Sequence, residues 1–369
     1  MPVETTFKLH YLLAPLSFIY GCVVGVRNLL FNWGILPSKE YPVPVISLGN
    51  LAIGGTGKTP HTEYLINLLG KQYKLGVLSR GYKRSTRGFI LAGDEDTALT
   101  IGDEPYQMKR KFPHVCIAVD GNRGRGIRNL LALPDEQRPD IILLDDAFQH
   151  RYVSPSLSIL LTDYNRLFYQ DKLLPFGYLR EAKGNMRRAH VIIATKCAED
   201  LLPIDFRIIE SEMGLQPYQH VYFTRITYGK TKPVFPVYTD HIPEGNFLNA
   251  DNEVLLLAGI ASPTLFIREA QQRFKKVTSL VFPDHHSFDK QDIRKIKETF
   301  NRLDSPDKFI LVTEKDAARL LHNPLIPDEW KKLIYYLPIT IDFCTETNLS
   351  FDDCIQNHII TFQRNNIFH

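Results

Sequence analysis

Residues Gly54-Gly55-Thr56-Gly57-Lys58-Thr59 follow the apolar run Val43–Leu48 almost directly and precede a stretch of helical character. Few folds join a strand, a glycine-rich turn and a helix opening in Lys-Thr. The turn has to gather backbone N–H groups at the helix N-terminus, and such a cluster cradles phosphate oxygens. In this reading Gly54, Gly55, Thr56, Gly57, Lys58 and Thr59 bind ATP. Lys58 reaches the β- and γ-phosphates, and the Thr59 hydroxyl ligates Mg²⁺. Ala52 stands where the first glycine of such a turn usually lies. The plain alternative is a glycine turn with an incidental Lys-Thr; the strand before it and an acidic strand downstream weigh against that.

Apolar runs alternate with amphipathic segments through the first two-thirds of the chain. The runs at 43–49, 74–79, 115–119, 140–145, 157–162 and 190–195 predict strands, with helices such as His61–Leu69 and Glu104–Lys111 between them. This alternation predicts an α/β fold with a mainly parallel sheet of the P-loop NTPase type. Residues 219–240 change character: His220–Tyr228 alternates, Gly229–Pro233 turns, and Val234–Tyr238 follows. They predict a hairpin or a two-stranded linker into a second, smaller α/β domain. That domain's strands are expected at Glu253–Ala258, Val277–Phe282, Lys308–Thr313 and Leu333–Ile341. The organisation expected is an N-terminal helix (1–36), a P-loop domain (37–218), the linker (219–240), the smaller domain (241–345) and a polar extension (346–369).

Ile141–Leu144 runs into Asp145-Asp146. An acidic residue closing a buried strand is where P-loop enzymes hold Mg²⁺. Adjacent carboxylates on extended backbone point to opposite sides, so one can serve the metal and the other a substrate or second metal. Phe148, where a guanine-specific switch carries glycine, and the lack of an Asn-Lys-x-Asp string argue against such a switch. Asp103-Glu104 opens a helix and on local sequence reads as a cap. Asp284-His285-His286 reads as a cap or as part of a site, with no third ligand nearby to propose zinc. Arg80, Arg123 and Arg180 each follow a strand or lie in a loop; on one edge of a parallel sheet they would form a cationic mouth for phosphates.

The formal charge of +3 on 369 residues gives no reason to expect nucleic acid. Cys22, Cys116, Cys197, Cys344 and Cys354 are odd in number and unpaired in spacing, which argues against a disulfide framework and for a reducing compartment. Tyr11–Val26 is almost wholly apolar, with Lys8 and His10 before it and Arg27 after it. A core helix, a single span and a helix lying in the membrane interface all accommodate it. The interfacial reading is preferred, with Tyr11, Tyr20 and Trp33 at headgroup depth and Lys8 and Arg27 on anionic lipid.

Taken in order, several strings resemble one family, the tetraacyldisaccharide 4′-kinases of lipid A biosynthesis. They are Ser47–Pro60, Ser79–Tyr82, Gly102–Pro105, Leu144–Arg151, Pro175–Glu181, Ala258–Ala261, Asp284-His285 and Thr313–Ala317. The resemblance spans roughly residues 10–320 and removes the objection at Ala52. It implies two α/β/α domains joined by a two-stranded linker. It also implies ATP- and Mg²⁺-dependent transfer of a γ-phosphoryl group to the 4′-hydroxyl of an acylated glucosamine disaccharide 1-phosphate. Asp103 and His285 then become a catalytic pair. Arg80, Glu104, Arg123, Gln149, Arg180 and Asp284 become candidates for binding substrate or phosphate, and Glu181 joins Thr59, Asp145 and Asp146 as a candidate metal ligand. The implied setting is the cytoplasmic face of a bacterial inner membrane, held peripherally or monotopically, with a membrane surface as partner and no obligate protein partner. A soluble P-loop kinase of a small metabolite and a non-catalytic ATP-dependent switch are the competing readings.

Overall fold

The computed structural model describes residues 13–238, 251–344 and 349–367. The expectations for Lys8, His10 and Tyr11 lie outside the described residues, as do parts of the expected linker and of the C-terminal extension.

The described chain opens with α1 (Ala14–Asn32), and β1 (Val45–Asn50) runs through the glycine turn into α2 (Lys58–Leu69). Next come β2 (Leu75–Ser79), the short β3 (Ile90–Leu91), α3 (Ala98–Ile101), α4 (Asp103–Lys111), β4 (Cys116–Val119) and α5 (Arg123–Leu131). β5 (Ile141–Leu144), β6 (Leu157–Asp163), β7 (Val191–Thr195), α6 (Pro203–Met213) and β8 (His220–Tyr228) complete this series. A second series holds β9 (Lys232–Pro233), β10 (Glu253–Ala258), α7 (Thr264–Arg273), β11 (Lys276–Val281), α8 (Lys290–Asn301), β12 (Lys308–Thr313), α9 (Glu314–Leu320), α10 (Asp328–Lys331) and β13 (Ile334–Leu337). β14 (Ile339–Phe343) and α11 (Phe351–Ile367) follow.

Among the described residues the strands form two sheets, of order β14-β8-β7-β6-β1-β5-β2-β4-β3 and β11-β10-β12-β13-β9. Pairing is parallel except at β3, β9 and β14. The central strands are buried along their length because helices cover both faces, as their continuous apolar runs require.

Register decides where the chemistry goes. Ser47 pairs with Leu144, and Leu144 with Leu78, so the phosphate turn, Asp145-Asp146 and Arg80 leave adjacent strands at one carboxyl edge. In the second sheet Ala258 pairs with Val281 and Leu257 with Val312, which brings Gly259, the 282–285 loop and the start of α9 to one edge. Ligands of parallel sheets bind at such edges.

Of the two readings of 219–240, the hairpin does not form among the described residues. β8 pairs instead with β14, Tyr228 opposite Ile339 through Thr224 opposite Phe343, while β9 pairs with β13. The run Leu333–Ile341, expected as one strand, is two. Pro338 has no N–H for a ladder, and the chain leaves the second sheet there to rejoin the first. The polar extension also holds structure: Ile355 and Ile359 of α11 are fully buried against the first sheet's core. There the Tyr64 hydroxyl of α2 donates to Asp352 Oδ1 at 2.7 Å.

α1 is amphipathic in reverse. Ser17, Tyr20, Gly21, Arg27, Asn28 and Phe31, spaced at three and four residues, form its protein-facing stripe. Leu16, Phe18, Ile19, Val23, Val26, Leu29 and Trp33 face outward, and Phe18 is 73% exposed. The core-helix reading is therefore set aside. The expected lipid contacts of Tyr20 and Arg27 are corrected too: the Tyr20 hydroxyl donates to the Arg180 carbonyl at 2.8 Å and Arg27 Nη2 to the Gln149 carbonyl at 3.0 Å.

Candidate active site

The glycine turn is held from both flanks. Gly54 (φ +107°) and Gly57 (φ +81°) adopt backbone conformations that a side chain would strain. Asn50 Nδ2 donates to Thr56 Oγ1 at 2.9 Å, Thr195 Oγ1 to the Thr56 carbonyl at 3.0 Å, and Lys196 Nζ to the Gly55 carbonyl. His61, one turn into α2, lies with Nδ1 2.7 Å from the Gly57 carbonyl and Nε2 3.0 Å from Thr224 Oγ1. Burial pushes its pKa down to about 4, so the imidazole is neutral and Nδ1 is the donor to the carbonyl. The turn is thus set before any phosphate arrives, and α2 directs its N-terminal N–H groups and Lys58 toward the edge.

Asp145 and Asp146 divide in environment. Asp145 is buried and accepts from Ser79 Oγ at 3.1 Å, while its Oδ1 has no hydrogen-bond partner among the described residues. Burial, then the neighbouring Asp146, pushes its carboxyl up to about 6. At Asp146 the chain has left extended geometry: a φ of 48° costs roughly 1–2 kcal/mol for a non-glycine residue and swings this carboxylate toward Lys58. Asp146 Oδ1 lies 3.6 Å from Lys58 Nζ and 3.1 Å from Arg180 Nη1. Against the cost of burial, Lys58 and Arg180 hold its pKa below the usual carboxylate range.

Asp103 is not a cap. The helix cap is Gly102, whose φ of +95° and closeness to Gly81 leave no room for a side chain. Asp103, first in α4, instead reaches across to the second sheet. Its Oδ2 lies 2.8 Å from His285 Nδ1 and accepts from Arg319 Nε and Nη2 at 2.9 and 2.7 Å. Burial opposes ionisation, but the bonds from His285 and Arg319 outweigh it and hold Asp103 at about 2. An ionised partner makes Nδ1 the protonated nitrogen of His285 and leaves Nε2 as an acceptor. Lys315 Nζ stands 3.2 Å from that Nε2 and 2.8 Å from Glu104 Oε1. His285 is itself at φ 58°, and Asp284 Oδ1 accepts from its N–H at 3.0 Å.

The two halves form one site. A Cβ built on Gly55 would stand 3.8 Å from that of Ala261, beyond β10, and Glu104 is close enough to Asp145 to raise its carboxyl. Behind the site, Lys111 of α4 bridges Glu63 of α2 (2.6 Å) and Glu314 of α9 (3.0 Å), tying the helices that carry Lys58, Asp103 and Lys315.

Not every candidate lies at the surface of the cleft. Arg123 is buried, donating to the carbonyls of Asp120 (2.6 Å) and Asp145 (3.0 Å), so it braces the acidic loop from behind. The expected mouth of three arginines reduces to exposed Arg80 and half-buried Arg180. Gln149 donates to the Asn50 carbonyl at 2.7 Å and accepts from Arg180 at 3.2 Å. Glu181 is paired under α1 with Arg188 and with Asn28 Nδ2 at 3.3 Å, away from the contacts of Asp145 and Asp146. Thr59 lies in the first turn of α2 beside Lys58. Arg319 and Lys315 escaped the reading of the sequence as site residues. Their spacing of four residues on a helix opening at a strand end was the available signal.

A family model described as tetraacyldisaccharide-1-P 4′-kinase matches residues 9–359. A protein of Parabacteroides distasonis named tetraacyldisaccharide 4′-kinase is 54% identical over 367 residues, covering 99% of both chains. One of the same name from Bacteroides thetaiotaomicron is 50% identical, covering 98% of this chain and 96% of the other. Among solved structures, "apo" form LpxK of Aquifex aeolicus in complex with ATP superposes with a TM-score of 0.72 at 26% identity, covering 96% of this chain and 99% of that one.

Proposed function

This chain belongs to the tetraacyldisaccharide-1-P 4′-kinase family, and from that premise we propose how its residues carry out the reaction. The protein is an ATP-dependent kinase of lipid A biosynthesis. Its acceptor, in our reading, is the 4′-hydroxyl of an acylated glucosamine disaccharide 1-phosphate. The observation that carries the reading is Asp103 of the first sheet's α4 holding His285 of the second sheet at 2.8 Å, beside a preset phosphate turn.

The 4′-hydroxyl must lose its proton as its oxygen bonds to the γ-phosphorus and the bond to the β-phosphate oxygen breaks. His285 Nε2 takes that proton, and Asp103 holds the ring and offsets the positive charge it gains. Lys315, already at Nε2, moves to the phosphoryl oxygens as the hydroxyl replaces it. Lys58 leaves Asp146 for the β- and γ-phosphates, and Arg180 keeps Asp146 neutralised. Mg²⁺ would be held by Thr59, Asp145 and Asp146, where the unpartnered Asp145 Oδ1 leaves a lone pair for a cation. It would supply charge neutralisation on the phosphate oxygens. Glu181 pairs with Arg188 and Asn28 beneath α1 and is left out of the set we favour.

The outward apolar face of α1, about 28 Å long by helix rise, belongs on a lipid surface. An acylated acceptor presents its sugar there, and α1 packs directly on the loops that bear Gln149 and Arg180. In our reading the enzyme sits peripherally on the cytoplasmic face of the inner membrane. The test is to supply γ-labelled ATP, Mg²⁺ and the acylated disaccharide 1-phosphate in mixed micelles. Label should pass to the lipid fraction. Label found only as inorganic phosphate supports the switch, and label confined to a water-soluble acceptor from an extract supports the metabolite kinase.

A further inference from the structure

We propose that Tyr20 and Arg27 of α1 are positioning residues for phosphoryl transfer, through which seating of α1 on lipid is transmitted to Asp146 and Lys58. The inference rests on the lipid-surface reading given above and adds what that surface does to turnover.

The contacts are continuous. Tyr20 donates to the carbonyl of Arg180 at 2.8 Å, and Arg27 to that of Gln149 at 3.0 Å. Through its Nη1, Arg180 donates to Asp146 Oδ1 at 3.1 Å and Gln149 Oε1 at 3.2 Å, and Lys58 lies 3.6 Å from the same Asp146 oxygen. Gln149 Nε2 also donates to the Asn50 carbonyl at 2.7 Å, and the Asn50 side chain holds Thr56 in the phosphate turn. Two short segments, one around Gln149 and one around Arg180, therefore carry both the contacts to α1 and the contacts to the phosphate site. A third tie fixes the same seam: Arg151 Nη1 donates to the Asn28 carbonyl at 2.8 Å, and Asn28 reaches Glu181.

The energetics make this seam depend on its surroundings. α1 buries little apolar surface against the protein, so its seat is mostly hydrogen bonds, each of modest net worth in water. Its apolar face is unfavourable in water and favourable in lipid. In water a detached α1 can turn its apolar face onto other apolar surface, whereas in lipid that face is satisfied while turned outward, as in the seated helix, so lipid shifts the population toward the seated state. The seated state is the one that holds Arg180 and Gln149 in place.

The test uses the full chain, vesicles of phosphatidylethanolamine and phosphatidylglycerol, ATP with Mg²⁺, and a short-acyl, water-soluble analogue of the acceptor. Wild-type protein should sediment with the vesicles, and its kcat should rise when they are added. Tyr20→Phe and Arg27→Gln should sediment equally, because both residues face inward. Each should lose about five-fold in kcat, the loss of one hydrogen bond at the transition state, with vesicle stimulation reduced. In an Arg180→Lys background Tyr20→Phe should cost no further activity, and in a Gln149→Ala background Arg27→Gln should cost none, which a merely structural defect would not reproduce. Should Arg27→Gln fail to fold, Tyr20→Phe, which removes a single hydroxyl, carries the test. Wild-type kcat and stimulation in the inward variants, losses that persist undiminished over the matching background (Arg180→Lys for Tyr20, Gln149→Ala for Arg27), or sedimentation of the wild type without stimulation would each overturn the inference. Wild-type protein that does not sediment at all refutes instead the lipid reading beneath it.

Discussion

Replacing Asp103 with Asn keeps the shape of the side chain and removes its charge. In the wild type one oxygen, Oδ2, takes bonds from Arg319 and His285, and the carboxyl is held at about 2 against an ordinary 3.8. That shift corresponds to about 2 kcal/mol of preference for the ionised form. The sign follows from the depressed value. The stabilisation is complete above the unfolded value near 4 and is lost as pH falls through 4 toward 2. Asp103→Asn should therefore lower unfolding free energy by about 2 kcal/mol at pH 7 and flatten the acid limb of stability. Arg319 keeps Asp316 at 2.7 Å, so no cation is left unpaired and the fold survives. Turnover should fall by about 10²–10⁴, the range for losing a proton acceptor, because a neutral amide oxygen can still accept from Nδ1 but no longer offsets the positive charge that His285 gains. Thermal melts from pH 3 to 7 and single-turnover transfer rates are the assays. In a cycle with His285→Ala the second loss should be small. Additive losses, or an Asp103→Asn enzyme with full turnover and an unchanged acid limb, would refute the pair.

Lys58→Ala should lower kcat by about 10²–10³ while the melting curve stays near that of wild type, since a charge aimed at the transferring phosphoryl group is worth about 3–4 kcal/mol; retained turnover removes the phosphate-turn argument. Asp145→Asn and Asp146→Asn should each raise the Mg²⁺ concentration needed for half-maximal rate, read from a metal titration at saturating ATP, and unchanged titrations contradict the placement. Deleting residues 1–36 should abolish vesicle sedimentation and sharply reduce transfer to the acylated acceptor, and undiminished vesicle binding by a folded truncation contradicts the interfacial helix.

The strands around the phosphate turn were legible because buried parallel strands are short apolar runs and the turn marks the first of them. Each predicted strand of that series lies within two residues of its observed ends. The exchange of β14 between sheets was not legible, because it depends on Pro338 interrupting one apolar run and on a partner, β8, more than a hundred residues away. α11 was missed because its buried positions, Phe351, Ile355 and Ile359, are diluted by polar neighbours. At the site, Lys58 and the acidic pair came from local pattern, whereas joining Asp103 to His285 needed the family resemblance. Their contact is set by how two sheets face one another, and no local spacing encodes that. Arg123 shows the converse error: an arginine at a helix start looks like a phosphate ligand until burial and two carbonyl partners reveal a brace.

The most direct measurement of the central claim is phosphorus–proton correlation spectroscopy of the product formed from ATP and the acylated disaccharide 1-phosphate. The account predicts a new phosphomonoester whose phosphorus couples to the proton on the 4′ carbon, formed by wild-type enzyme and nearly absent with His285→Ala. A phosphate at any other position, or inorganic phosphate as the only new signal, would contradict it.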